Sequence, residues 1–138
     1  MPMREEIVAE ARRWLGTPFH HQGRQRGVGV DCAGVLFGVA WALGISDFDL
    51  RAYPPRPEPD MMSAHLARHL QPIPKASARP GDVLRFMIDR RPQHLGILTA
   101  PDQVLHAYQH AGRCVEHRLD DKWRRRICGA YRFPGVID

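Results

Sequence analysis

The hydrophobic period of this chain changes once, at Pro80-Gly81-Asp82, and that change limits the fold more than any single motif. Before it, apolar residues recur at helical spacing. Ile7, Val8, Ala11, Trp14 and Leu15 make one stripe, ended by Gly16 and Pro18. Val35 to Leu43 is apolar nearly all round, as in a helix buried at the centre of a domain, and Gly44 closes it. Met62, His65, Leu66, His69 and Leu70 fit one face of a short third helix, after an extended proline-rich surface connection over Tyr53 to Pro59. Beyond Asp82 the runs shorten and fill with Val, Ile, Leu and aromatic residues between turn signals. Val83 to Ile88, Leu95 to Thr99, Val104 to Tyr108, Cys114 to Leu119 and Ile127 to Phe133 read as strands. Helices first and strands afterwards predict an α+β fold, with N-terminal helices packed on a five- to six-stranded antiparallel sheet.

At 138 residues the chain is expected to be a single domain over 1–138, large enough to hold a core without disulfides or metal. No apolar run approaches the roughly 20 residues of a membrane span. The N-terminus carries no apolar signal-peptide core, so synthesis is expected to leave the product in the cytosol. Three cysteines, Cys32, Cys114 and Cys128, leave at least one thiol free, which favours a reduced compartment. The net charge is +5, and Arg113 to Arg132 holds seven basic against three acidic residues. A solvated basic surface explains that excess as well as an anionic partner does.

Cysteine catalysis needs a thiolate, a base and usually a group that orients the base. Asp31-Cys32-Ala33-Gly34 puts Cys32 in the first turn of the buried helix, where unpaired N–H groups and the positive dipole end favour a thiolate. Cys32 is therefore expected to be the only thiol with a depressed pKa, although a small buried apolar residue is the commoner fate of a free cysteine. His94 heads one strand and His106 lies within the next, so adjacent strands can bring a base and its orienter together. Residues paired across a hairpin have a constant position sum, so two even-numbered histidines share a face only if that sum is even. A two-residue Pro101-Asp102 turn makes it odd. The connection is expected to be an odd-length loop or to contain a bulge.

Gly16-Thr17-Pro18-Phe19, Asp31-Cys32-Ala33-Gly34, Pro80-Gly81-Asp82-Val83-Leu84, His94-Leu95-Gly96-Ile97-Leu98 and Leu105-His106-Ala107, in that order, resemble the NlpC-type cysteine peptidases across nearly the whole chain. The C-terminal run from Trp123 to Gly135 resembles the branch found in phage tails and gene transfer agents. The resemblance implies a papain-like fold and a thiol hydrolase, a peptidoglycan endopeptidase that cleaves stem peptides. It implies a place in the tail tip or baseplate of a virion assembled in the host cytoplasm, acting in the cell wall or periplasm. Peptidoglycan and tail-tip or baseplate hub proteins would be its partners, with no nucleic acid, no membrane span, no metal and no cofactor. Cys32 matches the nucleophile, His94 the general base and His106 the third polar residue, with Phe19, Gln22 and Asp31 as oxyanion or substrate-shaping candidates. Phe19 stands where the family usually has tyrosine, whose hydroxyl is associated with the active site, and Ala33 stands where it usually has serine. The oxyanion hole would then use the Cys32 N–H and a donor from His20, His21 or Gln22. A structural tail component with little catalysis, and an acyltransferase or amidase on the same scaffold, are the competing readings.

Other clusters point elsewhere. His106, His110 and Cys114 recur every fourth residue, a metal-binding face only if that segment were helical, and it reads as strand and turn. Cys114 and Cys128 are expected to be core thiols. The Arg124-Arg125-Arg126 cluster, without interleaved aromatic platforms, is weak evidence for nucleic-acid binding and is expected to serve docking or wall attraction.

Overall fold

A computed structural model of the chain describes residues 2–49 and 59–138, so the proline-rich connection expected over 53–59 lies, up to residue 58, outside the described residues. Helix α1 (Arg4–Arg12) buries Ile7, Val8 and Ala11. Trp14 follows them into the core, whereas Leu15 is 43% exposed because the helix ends at Arg12 and its period no longer applies. Residues 19–31 carry a short hairpin of β1 (Arg24–Gln25) and β2 (Gly29–Val30). Helix α2 (Cys32–Ala42) follows as expected. Gly38 lets it approach α1, since a Cβ there would stand 2.1 Å from Cζ2 of Trp14. Helix α3 (Pro59–His69) lays His69 against Phe48, ring centroids 3.5 Å apart.

Among the described residues the main sheet has six antiparallel strands in the order β3-β8-β4-β5-β6-β7. They are β3 (Gln71–Ile73), β4 (Val83–Ile88), β5 (Arg91–Ala100), β6 (Gln103–Tyr108), β7 (Arg113–Arg118) and β8 (Ile127–Arg132). The pattern missed β3, a three-residue edge strand with a central proline, and α4 (Asp121–Arg126), whose N-terminus Asp120 caps by accepting from Trp123 N–H at 2.9 Å. The fold is thus α+β and papain-like, with the expected number of strands.

Strand alternation divides the core in two. Val83, Leu95, Ile97, Leu105, Ala107 and Cys114 join the buried faces of α1 and α2. Leu84, Phe86, Leu98, Val104 and Leu119 pack on the other face beneath Trp123 of α4. A third buried group, Asp82, is held by Arg4 and Arg132, each at 3.0 Å, and ties the start of β4 to both ends of the chain.

Candidate active site

Cys32 opens α2 because Asp31 stops the chain from extending further as strand and caps the helix. Its carboxylate accepts from Gly34 N–H at 2.8 Å, from Gln22 N–H at 2.9 Å and from Arg24 Nη1 at 2.9 Å. Asp31 therefore anchors the loop before the cysteine, with Gln22 held in the left-handed region at φ 60°. The Cys32 sulfur is approached by the backbone N–H groups of Ala33 and of Leu95, the residue after His94. Pairing of β5 with β6 runs from Ile97↔Leu105 toward the turn, so Leu95 lies where the two strands part. The helix N-terminus meets the sheet at that parting, which brings the thiol beside the His94 backbone.

The hairpin carries the expected bulge. Ile97 pairs with Leu105 and Leu98 with Val104, an even register, yet Ala100 pairs with Gln103 across Pro101-Asp102. Thr99 is the extra residue. It converts a two-residue turn of odd register into a ladder of even register, and His94 and His106 fall on one face. Gly96 stands opposite His106 in that register, and a Cβ there would come within 2.7 Å of Val104 and 3.3 Å of His106. His94 Nε2 is hydrogen-bonded to His106 Nδ1.

The register of β6 with β7 adds a member that sequence reasoning did not single out. Val104 faces His117, which puts His117 diagonally beside His106 on the same side of the sheet. His106 Nε2 lies 2.8 Å from His117 Nε2, and His117 Nδ1 lies 2.8 Å from the Arg118 carbonyl oxygen. Trp123 roofs this row, its ring 5.1 Å from His106 and 5.0 Å from His117, and the Arg126 guanidinium lies over Trp123 at 4.8 Å. Only a β7 register could have revealed His117. A 3-10 turn at Gln109–Ala111 and Gly112 separate it from β6.

Burial governs the titration of the site. It pushes the Cys32 thiol up to about 12, the nearby Asp31 carboxylate adds to the rise, and the Leu95 and Ala33 N–H groups and Arg24 oppose it without prevailing. The depressed thiol expected from the helix terminus is thus reversed, because desolvation of a thiolate outweighs one dipole end. Burial raises Cys114 to about 12 and raises Cys128 as well. The two histidines go the other way. Burial lowers His94 to about 3, helped by His117 and Arg126, and lowers His106 further, helped by its histidine neighbours. Burial thus favours the neutral form of the Cys32 thiol and of the His94 and His106 imidazoles.

Phe19 packs, half-buried, against the helix-side core and donates its N–H to Gly112 O at 2.8 Å. His20 is exposed, with Nδ1 2.9 Å from the His21 carbonyl. His110 sits in the 3-10 turn and Cys114 faces the helices opposite Ala107, so neither lies beside His106 on its face of β6. Among the described residues no group of three or more His, Cys, Asp or Glu could hold a metal ion. Cys128, expected in the core, is exposed because it is the extra residue where β8 bulges between Gly129, opposite Arg85, and Ile127, opposite Phe86. No helix among the described residues is long and apolar enough to cross a membrane.

Residues 16–132 match the model of the NlpC/P60 family. A curated relative, the gamma-DL-glutamyl hydrolase of Bacillus subtilis, is 24% identical over 94% of this chain, which spans 29% of that protein. Among solved structures, the NlpC/P60 domain of the peptidoglycan hydrolase SagA superposes with a TM-score of 0.66 at 24% identity, over 94% of this chain and 98% of that one. An NlpC/P60 family protein from Bacillus cereus gives 0.72 at 19% identity, over 96% and 40%. The peptidoglycan hydrolase RipB from Mycobacterium tuberculosis gives 0.63 at 20%, over 94% and 63%.

Proposed function

The chain belongs to the NlpC/P60 family, and from that premise we propose that it is a thiol hydrolase that cleaves peptidoglycan stem peptides from the tail tip or baseplate of a phage or gene transfer agent. The observation that carries the chemistry is the parting of β5 and β6, where the Leu95 N–H meets the Cys32 sulfur while His94 is hydrogen-bonded to His106. With Nε2 engaged, His94 keeps Nδ1, the ring nitrogen nearer its own backbone, for the thiol. As Cys32 Sγ attacks the scissile carbonyl carbon, its proton passes to His94 Nδ1. The tetrahedral oxyanion is met by N–H groups of the first helix turn, which lack partners within the helix. Collapse breaks the C–N bond, and the amine leaves with the proton from His94. Water then attacks the thioester, gives a proton to His94, and releases the acid and the Cys32 thiol.

The activity named for the Bacillus subtilis relative, on gamma-DL-glutamyl bonds, makes a bond beside D-glutamate in a stem peptide the substrate of choice. The tail placement is supported by the run from Trp123 to Gly135 and by its basic character. A second reading, a tail component of low activity, draws on Phe19, which offers no hydroxyl to the site. Incubating the protein with sacculi and with defined muropeptides, beside Cys32→Ala, separates the two. Release of new amino termini by the natural protein alone establishes the hydrolase. Equal, absent release from both would leave the structural reading.

A further inference from the structure

We propose that His117 of β7 is a positioning residue that sets the tautomer of His94 through His106. The inference rests on the assignment of His94 as the base, and its logic is that of donors and acceptors. The Arg118 carbonyl oxygen 2.8 Å from His117 Nδ1 can only accept, so Nδ1 carries the proton. In neutral His117 the other nitrogen, Nε2, is then an acceptor. His106 Nε2, 2.8 Å away, must donate to it. That choice leaves His106 Nδ1 with a lone pair, and its partner, His94 Nε2, must donate in turn. His94 is left with a bare Nδ1, the form needed to receive a thiol proton.

With one proton per ring and one donor per contact, the three orientations are fixed together by a single backbone carbonyl. Reversing any one bond would oppose two N–H groups or two lone pairs somewhere in the row. His106 is 1% exposed and His94 8%, so water is a poor substitute partner for either. Trp123, Tyr108 and Phe86 wall the row with rings that offer its nitrogens no strong acceptor. The tautomer information therefore enters at the half-buried end, where His117 meets Arg118.

The test reads tautomers directly, by long-range 1H–15N spectra at pH 7 on the full chain and on Cys32→Ala. The expected result is a proton on Nε2 of His94 and of His106 and on Nδ1 of His117. In His117→Leu the His94 signals should move to a mixture of tautomers, with kcat on a soluble muropeptide down about tenfold and KM unchanged. His117→Gln, whose amide oxygen stands where Nε2 stood, should restore both. A proton on His106 Nδ1 in the natural protein would overturn the proposal. So would a His117→Leu protein that keeps Nε2–H at His94 and full kcat. Should the natural protein show the expected tautomers yet cleave no muropeptide, the relay would be supported and the hydrolase reading would fall.

Discussion

The two faces of the sheet solve opposite problems with the same strands. Toward α1 and α2 the inward residues are apolar, and close approach is obtained by deleting volume, as at Gly38 beneath Trp14. Toward α4 the same strands present His94, His106 and His117, and burial is tolerated because the rings pair with one another along the row and His117 ends it on the Arg118 carbonyl. The first face holds the Cys32 helix in place, and the second presents His94, the base we propose. One extra residue, Thr99, keeps the second face in register. The lesson is that strand alternation keeps the packing around the Cys32 helix apart from the histidine row, so a change within one face should leave the other largely intact.

The sharpest break of that separation is at His94, the proposed base. His94→Gln should lower turnover of a muropeptide by at least about 10⁴-fold, because nucleophile and base act as one unit, while thermal unfolding shows the protein still folded. Retention of substantial turnover would mean that His94 is not the base. The mirror experiment is Gly38→Ala. The added methyl would meet the Trp14 ring at 2.1 Å, and overpacking of this kind outweighs the gain in helix propensity, for a net loss of about 2 kcal/mol. Urea unfolding measures the loss, and kcat below the unfolding range should be unchanged. A loss of kcat without a loss of stability would couple the two faces.

Acid titration sharpens the contrast further. His94 and His106 are held neutral in the fold, while in the unfolded chain they protonate near 6.5. Above that pH their neutral burial costs nothing. As pH falls below it toward about 3, the unfolded state binds protons that the folded state refuses, and stability declines by about 1.4 kcal/mol per pH unit for each histidine. The helix side responds later, since Glu116, held low by Arg12, loses its contribution only below its ordinary value of 4.5. Urea midpoints at pH 7, 6 and 5 should fall steadily, and more gently for His106→Asn. A flat profile would mean the histidines are not buried neutral.

Much of this arrangement was legible in the residues. The apolar run Val35 to Leu43 could only be a buried helix, and Asp31 before Cys32 fixed where it starts. The parity of positions 94 and 106 required a bulge or an odd loop, and Thr99 supplies the bulge, but alternation alone could not say which strand would carry it. Helix α4 was not legible because Trp123 is its one buried residue, too few to define a period. His117 was not legible because its face depends on a register set beyond an irregular turn. The thiol pKa was misjudged because the helix terminus is visible in the sequence and the desolvation around it is not.

Thiol labelling turns that correction into a measurement. Cys32 is packed and raised to about 12, whereas Cys128 is exposed at the β8 bulge, with a thiol that burial raises and Arg85 and Lys75 partly offset. Iodoacetamide at pH 7 should therefore label Cys128 before Cys32 and Cys114 last, as mapped by mass spectrometry, with Cys32 labelling rising as pH rises. Faster labelling of Cys32 would show a preformed thiolate–imidazolium pair in place of the neutral pair, and the His94 proton transfer would then precede substrate binding.

The smallest effect is expected at the outer edge of the histidine face. Arg126 lies over Trp123 and its charge reaches His94, so it belongs to the site's margin, whereas Arg124 and Arg125 are exposed on the outer side of α4. Changing all three together would mix the two roles. Arg124→Ala with Arg125→Ala should leave kcat on a soluble muropeptide within about twofold, since exposed charges of this kind contribute little to the fold. If the basic surface attracts the wall as proposed, sacculus binding should weaken, and the difference from the natural protein should shrink as salt shortens the reach of charge. Adding Arg126→Ala should then change the pH dependence of turnover, because the charge that opposes protonation of His94 is gone. Were the double variant to lose small-substrate turnover while folded, the chemistry would extend across the outer side of α4, and the boundary drawn at Trp123 would be misplaced.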